Sequence, residues 1–306
     1  MTMSYLPFRK ISKRRQEELA VTIFLLAPAT TIMAAVLVYP MFSSFWISLH
    51  LWDLTKPQLG HPFAGLINYL AILKDPAFWQ SAKITFFFVV GAVSLEITLG
   101  LVLALLLNRD FRGKNLVRVL ALLPWAIPGV VNGIMWKWIF NPSYGALNGL
   151  FYSLGLINEY QIWLGNPKIA LMMCILADTW KETPFIMLIF LAALQTIPKD
   201  LYEAAWVDGC NALQALFRIT IPLIKPTLFV ALSLRTIWAL KSFDLIYTLT
   251  AGGPAGGTTV IGYYTYIKAF VSLNLGRGAA AAFLMTLVVI IIVYFYQRAL
   301  FQEVQE

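Results

Sequence analysis

The stretch Glu203-Ala204-Ala205-Trp206-Val207-Asp208-Gly209, followed by Phe217-Arg218-Ile219-Thr220-Ile221-Pro222 and Pro226, lies between two long apolar runs. The interruption, residues 197–226, has a pattern of its own. Pro198 suits a first helical position, where its missing donor is not needed. Asp200 then puts a carboxylate in the first turn, which the helix dipole favours. Leu201 to Val207 offers mostly good helix formers, and Gly209 is a natural helix stop or tight turn. The expected local structure is a short helix, a glycine turn, and a second helix entering the next apolar run near Pro222 and Pro226. Ala204 and Ala205 leave a low-profile face, and Gly209 allows close backbone approach. Such a knob suits a partner's cleft. An amphipathic connector lying on a membrane accounts for it equally well.

The apolar runs on either side decide the fold class. Of 306 residues, 59% are hydrophobic and only 12% charged, about half the charged share of a soluble domain. So few charges cannot cover a water-exposed surface, so lipid must take much of it. Six blocks, at about 19–49, 82–107, 117–140, 169–194, 227–249 and 279–300, are each near or above the ~20 residues that cross a bilayer as a helix. None shows the two-residue alternation of a barrel. The expectation is an all-α polytopic membrane protein with six transmembrane helices. Its single domain would cover 19–300, after an N-terminal segment 1–18 and before a short tail, 301–306. Pro28, Pro40, Pro124, Pro128 and Pro184 interrupt spans, where neighbouring helices can satisfy the freed carbonyls.

Thirteen Lys and Arg flank one side of these blocks and six the other, densest in the N-terminus (Arg9 to Arg15) and the 108–118 loop. Positive charge stays inside, so both termini and the 197–226 loop are expected in the cytoplasm. The net charge of +8 therefore reads as topological, not as a nucleic-acid surface. The first apolar run is too long for a cleaved signal core. Cys174 and Cys210 fall in a span and a cytoplasmic loop, so no disulfide is expected. No Cys/His set has metal-ligand spacing. No G-x-x-x-x-G-K-[ST] is present, so the chain supplies no Walker A cradle.

Polar residues inside spans are candidates for a solute path, because ionisable groups are expensive in hydrocarbon. The third block has Asn132 and Lys137. The fourth has Asp178, Thr179, Trp180, Lys181 and Glu182, and the fifth has Ser233, Arg235, Trp238, Lys241, Ser242 and Asp244. Asp178, Lys181 and Glu182 read equally as an ion pair or a helix end at the outer interface. Lys241 and Asp244, three apart on one helical face, are placed to neutralise each other. Trp180, Glu182, Trp238 and Asp244 are the favoured solute contacts, pairing flat apolar rings with hydrogen-bonding groups. Glu96 stands as a lone carboxylate that either bonds a neighbouring helix or couples protons, the latter favouring an ion- or proton-coupled secondary carrier. His50 and His61 both lie near the first external loop and no nucleophile–base set is visible, against an enzyme. The outer loops, including Tyr263, Tyr264 and Tyr266, are aromatic and read as interface anchors or as a docking surface.

The Glu-Ala-Ala with Asp-Gly pattern, Ile-x-x-Pro some ten residues on and the lead-in Ile197-Pro198-Lys199-Asp200-Leu201-Tyr202 together resemble the cytoplasmic coupling loop of permease subunits in bacterial carbohydrate ABC importers. Arg118 through Pro124, Pro128, Trp136, Phe140, Gly145 and Asn148 resemble the region of that family's third span. Thr250-Ala251-Gly252-Gly253-Pro254, with Thr258, Tyr266 and Phe270, resembles the loop before its last span. Cys210 departs from the family's usual Ala. The resemblance implies the MetI-like type I importer fold and a vectorial transporter rather than an enzyme. It also implies a heterodimer with a second permease subunit, two copies of an ATPase subunit that bind ATP and Mg, an extracytoplasmic solute-binding protein and a sugar substrate in the cell membrane. No cofactor is expected in this chain. The short ending resembles first permeases of such pairs. Glu203, Ala204, Ala205, Asp208, Gly209 and Pro222 would then meet the ATPase.

Overall fold

The computed structural model describes residues 13–301. Arg9 and Lys10 of the basic start, most of segment 1–18, and residues 302–306 lie outside the described residues. Within them the chain is helical, with two isolated bridges, His50 to Phe63 and Asp53 to Asn274, and no strand.

Helix α1 (Lys13–Met33) passes through a π turn at Ala34–Val38 into α2 (Tyr39–Ser48), and Pro28 lies inside α1. The apolar stretch Phe24–Ser48 is almost wholly exposed within the chain, Ser48 at its end being its buried residue. A short α3 (Ile67–Leu73) leads to α4 (Pro76–Leu107), which starts on a cap from Asp75, whose side chain accepts from the Ala77 amide. Beyond the 108–113 loop come α5 (Lys114–Ala126), α6 (Gly129–Ile139) and α7 (Ala146–Ser153). Helix α8 (Pro167–Leu194) opens on an Asn166 cap, and α9 (Lys199–Val207), α10 (Ala212–Ala215) and α11 (Ile221–Leu223) make the interruption after it. Helices α12 (Lys225–Leu240), α13 (Asp244–Leu249), α14 (Ile261–Tyr266) and α15 (Leu275–Phe301) complete the chain.

Three straight helical stretches are long and apolar enough to cross a membrane, and up to six if each bent pair counts as one span. The expected third span is not one straight helix: α5 and α6 meet at 94°. The cause is local, since Ile127 precedes Pro128 and is extended at ψ 129°, and a residue before proline is driven out of the helical region. The fifth block is also two pieces. Helix α12 ends at Leu240, the Lys241 amide closing its last turn, and α13 begins at Asp244. Lys241 and Asp244 therefore do not share a helical face, and no ion pair joins them among the described residues, contrary to expectation.

The core forms where α8 lies along α4 and α12 crosses both. Phe88, Val93, Cys174, Ala177, Ala239 and Ile246 form one buried cluster; Ala104, Ile186, Met187, Phe190 and Ala231 form another nearer the 197–226 loop. Gly100 lets α4 and α8 approach this closely, because a Cβ there would come within 2.6 Å of the Ile186 side chain. Tyr263 and Tyr264 are buried rather than at a headgroup interface, so they are neither membrane anchors nor a docking face. They pack because the start of α14 is drawn onto α4, the Ile261 amide donating to Thr85 Oγ1 at 2.8 Å.

Candidate functional site

The 197–226 interruption folds much as its residues dictate. Pro198 caps α9, whose backbone ends at Asp208, and Gly209 turns the chain at φ +80°. The Gly209 amide closes on Trp206 O and the Cys210 amide on Ala205 O, satisfying the carbonyls a helix end leaves open. Asn211 and Gln214 form a reciprocal cap that starts α10. The Tyr202 hydroxyl meets Thr220 Oγ1 at 2.9 Å, tying α9 to the π turn at Leu216–Thr220. Ala205 faces inward, while Glu203, Ala204, Asp208, Gly209 and Pro222 are exposed, as are Trp206 at 62% and Val207 at 88%. Among the described residues nothing comes within 4 Å of where a Cβ on Gly209 would stand. The exposed face is apolar and acidic together.

From this loop α12 rises directly into the bundle. Arg235 lies ten residues above Lys225, about 15 Å at the helical rise, and is only 2% exposed. Its guanidinium clamps Glu96 of α4 through Nε to Oε2 (2.5 Å) and Nη2 to Oε1 (2.7 Å), and Nη2 also reaches Asp178 Oδ2 of α8 at 2.9 Å. Glu96 is thus not a lone carboxylate but half of a bidentate pair, the arrangement Arg geometry favours. Asp178 sits in the middle of α8, not at a helix end. Beside it Lys181 Nζ bonds Glu182 Oε1 at 2.6 Å.

Asp178, Lys181, Glu182 and Arg235 line a cavity of about 330 Å³, together with Asn132 of α6, Trp238 of α12 and Asp244 of α13. Glu182, Trp238 and Asp244, singled out from the sequence, are brought together there. Trp180 is not on the wall; it stands edge-on to Trp136 at 5.8 Å. Arg235, Asp178 and Asn132 are central to the wall, though none was preferred over the aromatic candidates. The signal available for Arg235 was three helices each holding an ionisable residue, which can be reconciled with hydrocarbon only by pairing. The break between α12 and α13 aims Phe243 at the cavity, stacked on Tyr247 at 5.4 Å and tilted on Tyr266 at 4.8 Å. Asn132 donates to Ala177 O at 3.2 Å, leaving its carbonyl oxygen buried without a partner. Ring faces beside paired charges and an unsatisfied amide oxygen can hold a molecule with apolar faces and many hydroxyls.

Comparison with known proteins gives this arrangement its context. The profile of a family described as the binding-protein-dependent transport system inner membrane component matches residues 96–306. A trehalose/maltose transport system permease protein, MalF of Thermococcus litoralis, is 43% identical over 267 residues, 87% of each chain. The sulfoquinovosyl glycerol transport permease SmoG of Agrobacterium fabrum is 39% identical over 85% of this chain and 83% of its own. The trehalose permease SugA of Mycobacterium tuberculosis is 37% identical over 88% and 85%. In fold, the chain superposes on a bacterial transporter that imports alginate with a TM-score of 0.80, at 24% identity, over 95% of this chain and 98% of the other. The chain belongs to the family of inner membrane components of binding-protein-dependent transport systems.

Proposed function

We propose that the protein is a permease subunit of an ATP-driven importer of a sugar, with the Glu203–Gly209 loop as the contact for a separate ATPase. The observation that carries this is the single covalent line from the exposed α9 knob, through Gly209 and α10, into α12, which itself supplies Arg235 and Trp238 to the cavity. Force on the knob would reach the cavity wall through one element. Trehalose, maltose and sulfoquinovosyl glycerol in the names of the relatives support a small glycoside, neutral or anionic, within the di- or oligosaccharide class, and the cavity volume suits it. A second permease subunit, two ATPase copies and an extracytoplasmic binding protein complete the proposed assembly, with both termini in the cytoplasm. The ion-coupled carrier drew on Glu96 and the other intramembrane charges; both oxygens of Glu96 are engaged by Arg235, which also bonds Asp178.

The test is reconstitution of the chain with its genomic neighbours in liposomes. Sugar uptake that needs ATP and the binding protein, and that stops when the ATPase is omitted, is expected. Uptake driven by a proton or sodium gradient without ATP would overturn the proposal.

A further inference from the structure

A second polar cavity, about 350 Å³, opens at the other end of the bundle from the 250–278 loop, between the end of α4, the start of α5 and the α8–α9 corner. It has no part in the solute path. Its wall carries Lys114 and Arg118 of α5 and Lys199 of α9, against one carboxylate, Asp110. Lys114 Nζ holds Asp110 Oδ1 at 2.5 Å. The Asp110 carboxyl lies below its usual range, first because Lys114 bonds it, then through the charges of Lys114, Lys199 and Arg118. The three cations thus converge on one place from two helices. Arg118 donates through Nη2 to Leu107 O at 2.7 Å, while its Nε–H is buried with no acceptor. Two helices, of 13 and 9 residues, also begin at this wall, at Lys114 and Lys199, with their free amides and positive dipole ends.

We propose that this cavity binds the phosphate of an anionic phospholipid headgroup, bracing the corner from which α9 projects. Three cations facing one carboxylate, beside two helix starts, suit an oxyanion. Its place at the ends of α4, α5 and α8 is where a bilayer presents headgroup phosphates, and basic pockets between spans take such headgroups. Leu194 and Ile197 add apolar surface beside the cations, which suits the glycerol backbone attached to a headgroup phosphate. The proposal needs the cytoplasmic orientation only to say which leaflet supplies the lipid; the solute and the ATPase do not enter it.

The experiment uses the full chain, delipidated in neutral detergent, and native mass spectrometry with dioleoyl phosphatidylglycerol, dioleoyl phosphatidylcholine or inorganic phosphate. Phosphatidylglycerol adducts should exceed phosphatidylcholine adducts. That preference should fall about fivefold in Arg118→Gln and in Lys199→Gln, the loss of one near-surface cation, and persist in Lys56→Gln as a control. Lys199 is exposed, so its variant should fold even if loss of the Arg118 bond to Leu107 weakens the end of α4. Equal adducts for the two lipids, or a preference unchanged in Lys199→Gln, would overturn the proposal. Binding of inorganic phosphate with no lipid preference would overturn the lipid as its source.

Discussion

At the scale of the residue, Arg235 organises the interior. A charged side chain that is 2% exposed persists only because Glu96 and Asp178 take its donors, and removing one partner of such a buried set typically costs about 3–5 kcal/mol. Arg235→Met should therefore lower the unfolding midpoint of the purified chain sharply. Adding Glu96→Gln and Asp178→Asn should recover most of the loss, because the unpaired charges go with the pair. Thermal unfolding followed by tryptophan fluorescence checks both, and a triple variant no better than the single would contradict the account. Trp238→Ala and Asp244→Ala act on the cavity wall instead. They should reduce uptake in the reconstituted assembly while leaving its subunit composition unchanged.

At the scale of the element, α9 and its turn carry the proposed coupling. Gly209 sits at φ +80° with open space around a would-be Cβ, so a substitution there strains the backbone and does not clash within the chain. A β-branched residue is disfavoured in that region by about 1–2 kcal/mol, and Asn much less. Gly209→Val should release the ATPase on co-purification and abolish solute-stimulated hydrolysis. Gly209→Asn should keep the turn and still weaken ATPase retention, because bulk at the contact remains; full retention in both variants would leave the loop a mere connector. A second element-level link joins the α3–α4 corner to the 261–271 segment. Lys268 Nζ pairs with Asp75 Oδ2 at 2.8 Å, and the Tyr264 hydroxyl donates to the same oxygen at 2.8 Å. Burial raises the Asp75 carboxyl, but the Lys268 and Tyr264 bonds outweigh it and hold the group below its usual range. A carboxyl depressed in the folded state stabilises above its unfolded value near 4 and loses that contribution as the pH falls through its folded one. Asp75→Asn should therefore lower stability at pH 7, and the gap to the parent protein should narrow as the pH falls below about 4, as read by unfolding midpoints over an acid titration.

At the scale of the whole molecule, this chain exposes much of what a membrane assembly would cover. The apolar stretch Phe24–Ser48 leaves nearly all its large side chains uncovered, Ser48 at its end excepted, and Trp206 and Val207 project from the knob. Purified alone in liposomes, the chain should show no sugar uptake above empty vesicles; vigorous uptake without partners would contradict the proposed division of labour. Gly100→Val tests the bundle itself. It forces a methyl against Ile186 and the Met187 backbone, and overpacking of this kind typically costs about 1–3 kcal/mol.

What the sequence determined by itself was whatever depends on local order: the apolar blocks, the helix that Pro198 starts and Gly209 stops, and the family pattern around Glu203. Each follows from neighbours in the chain, through hydropathy, capping and allowed backbone angles. Chain neighbours also held the clue to the α5–α6 bend, because Ile127 precedes Pro128, yet one apolar run hides a corner when only hydropathy is followed. Tertiary structure alone decided what depends on meetings across the chain. Glu96 and Arg235 stand 139 residues apart, and no spacing rule joins them; only the crossing of α4, α8 and α12 turns three expensive charges into one satisfied group. The same crossing gathers Glu182, Trp238 and Asp244 onto one cavity and leaves Trp180 off it. Helical periodicity tells which face of its own helix a residue occupies, and not which other helix that face will meet.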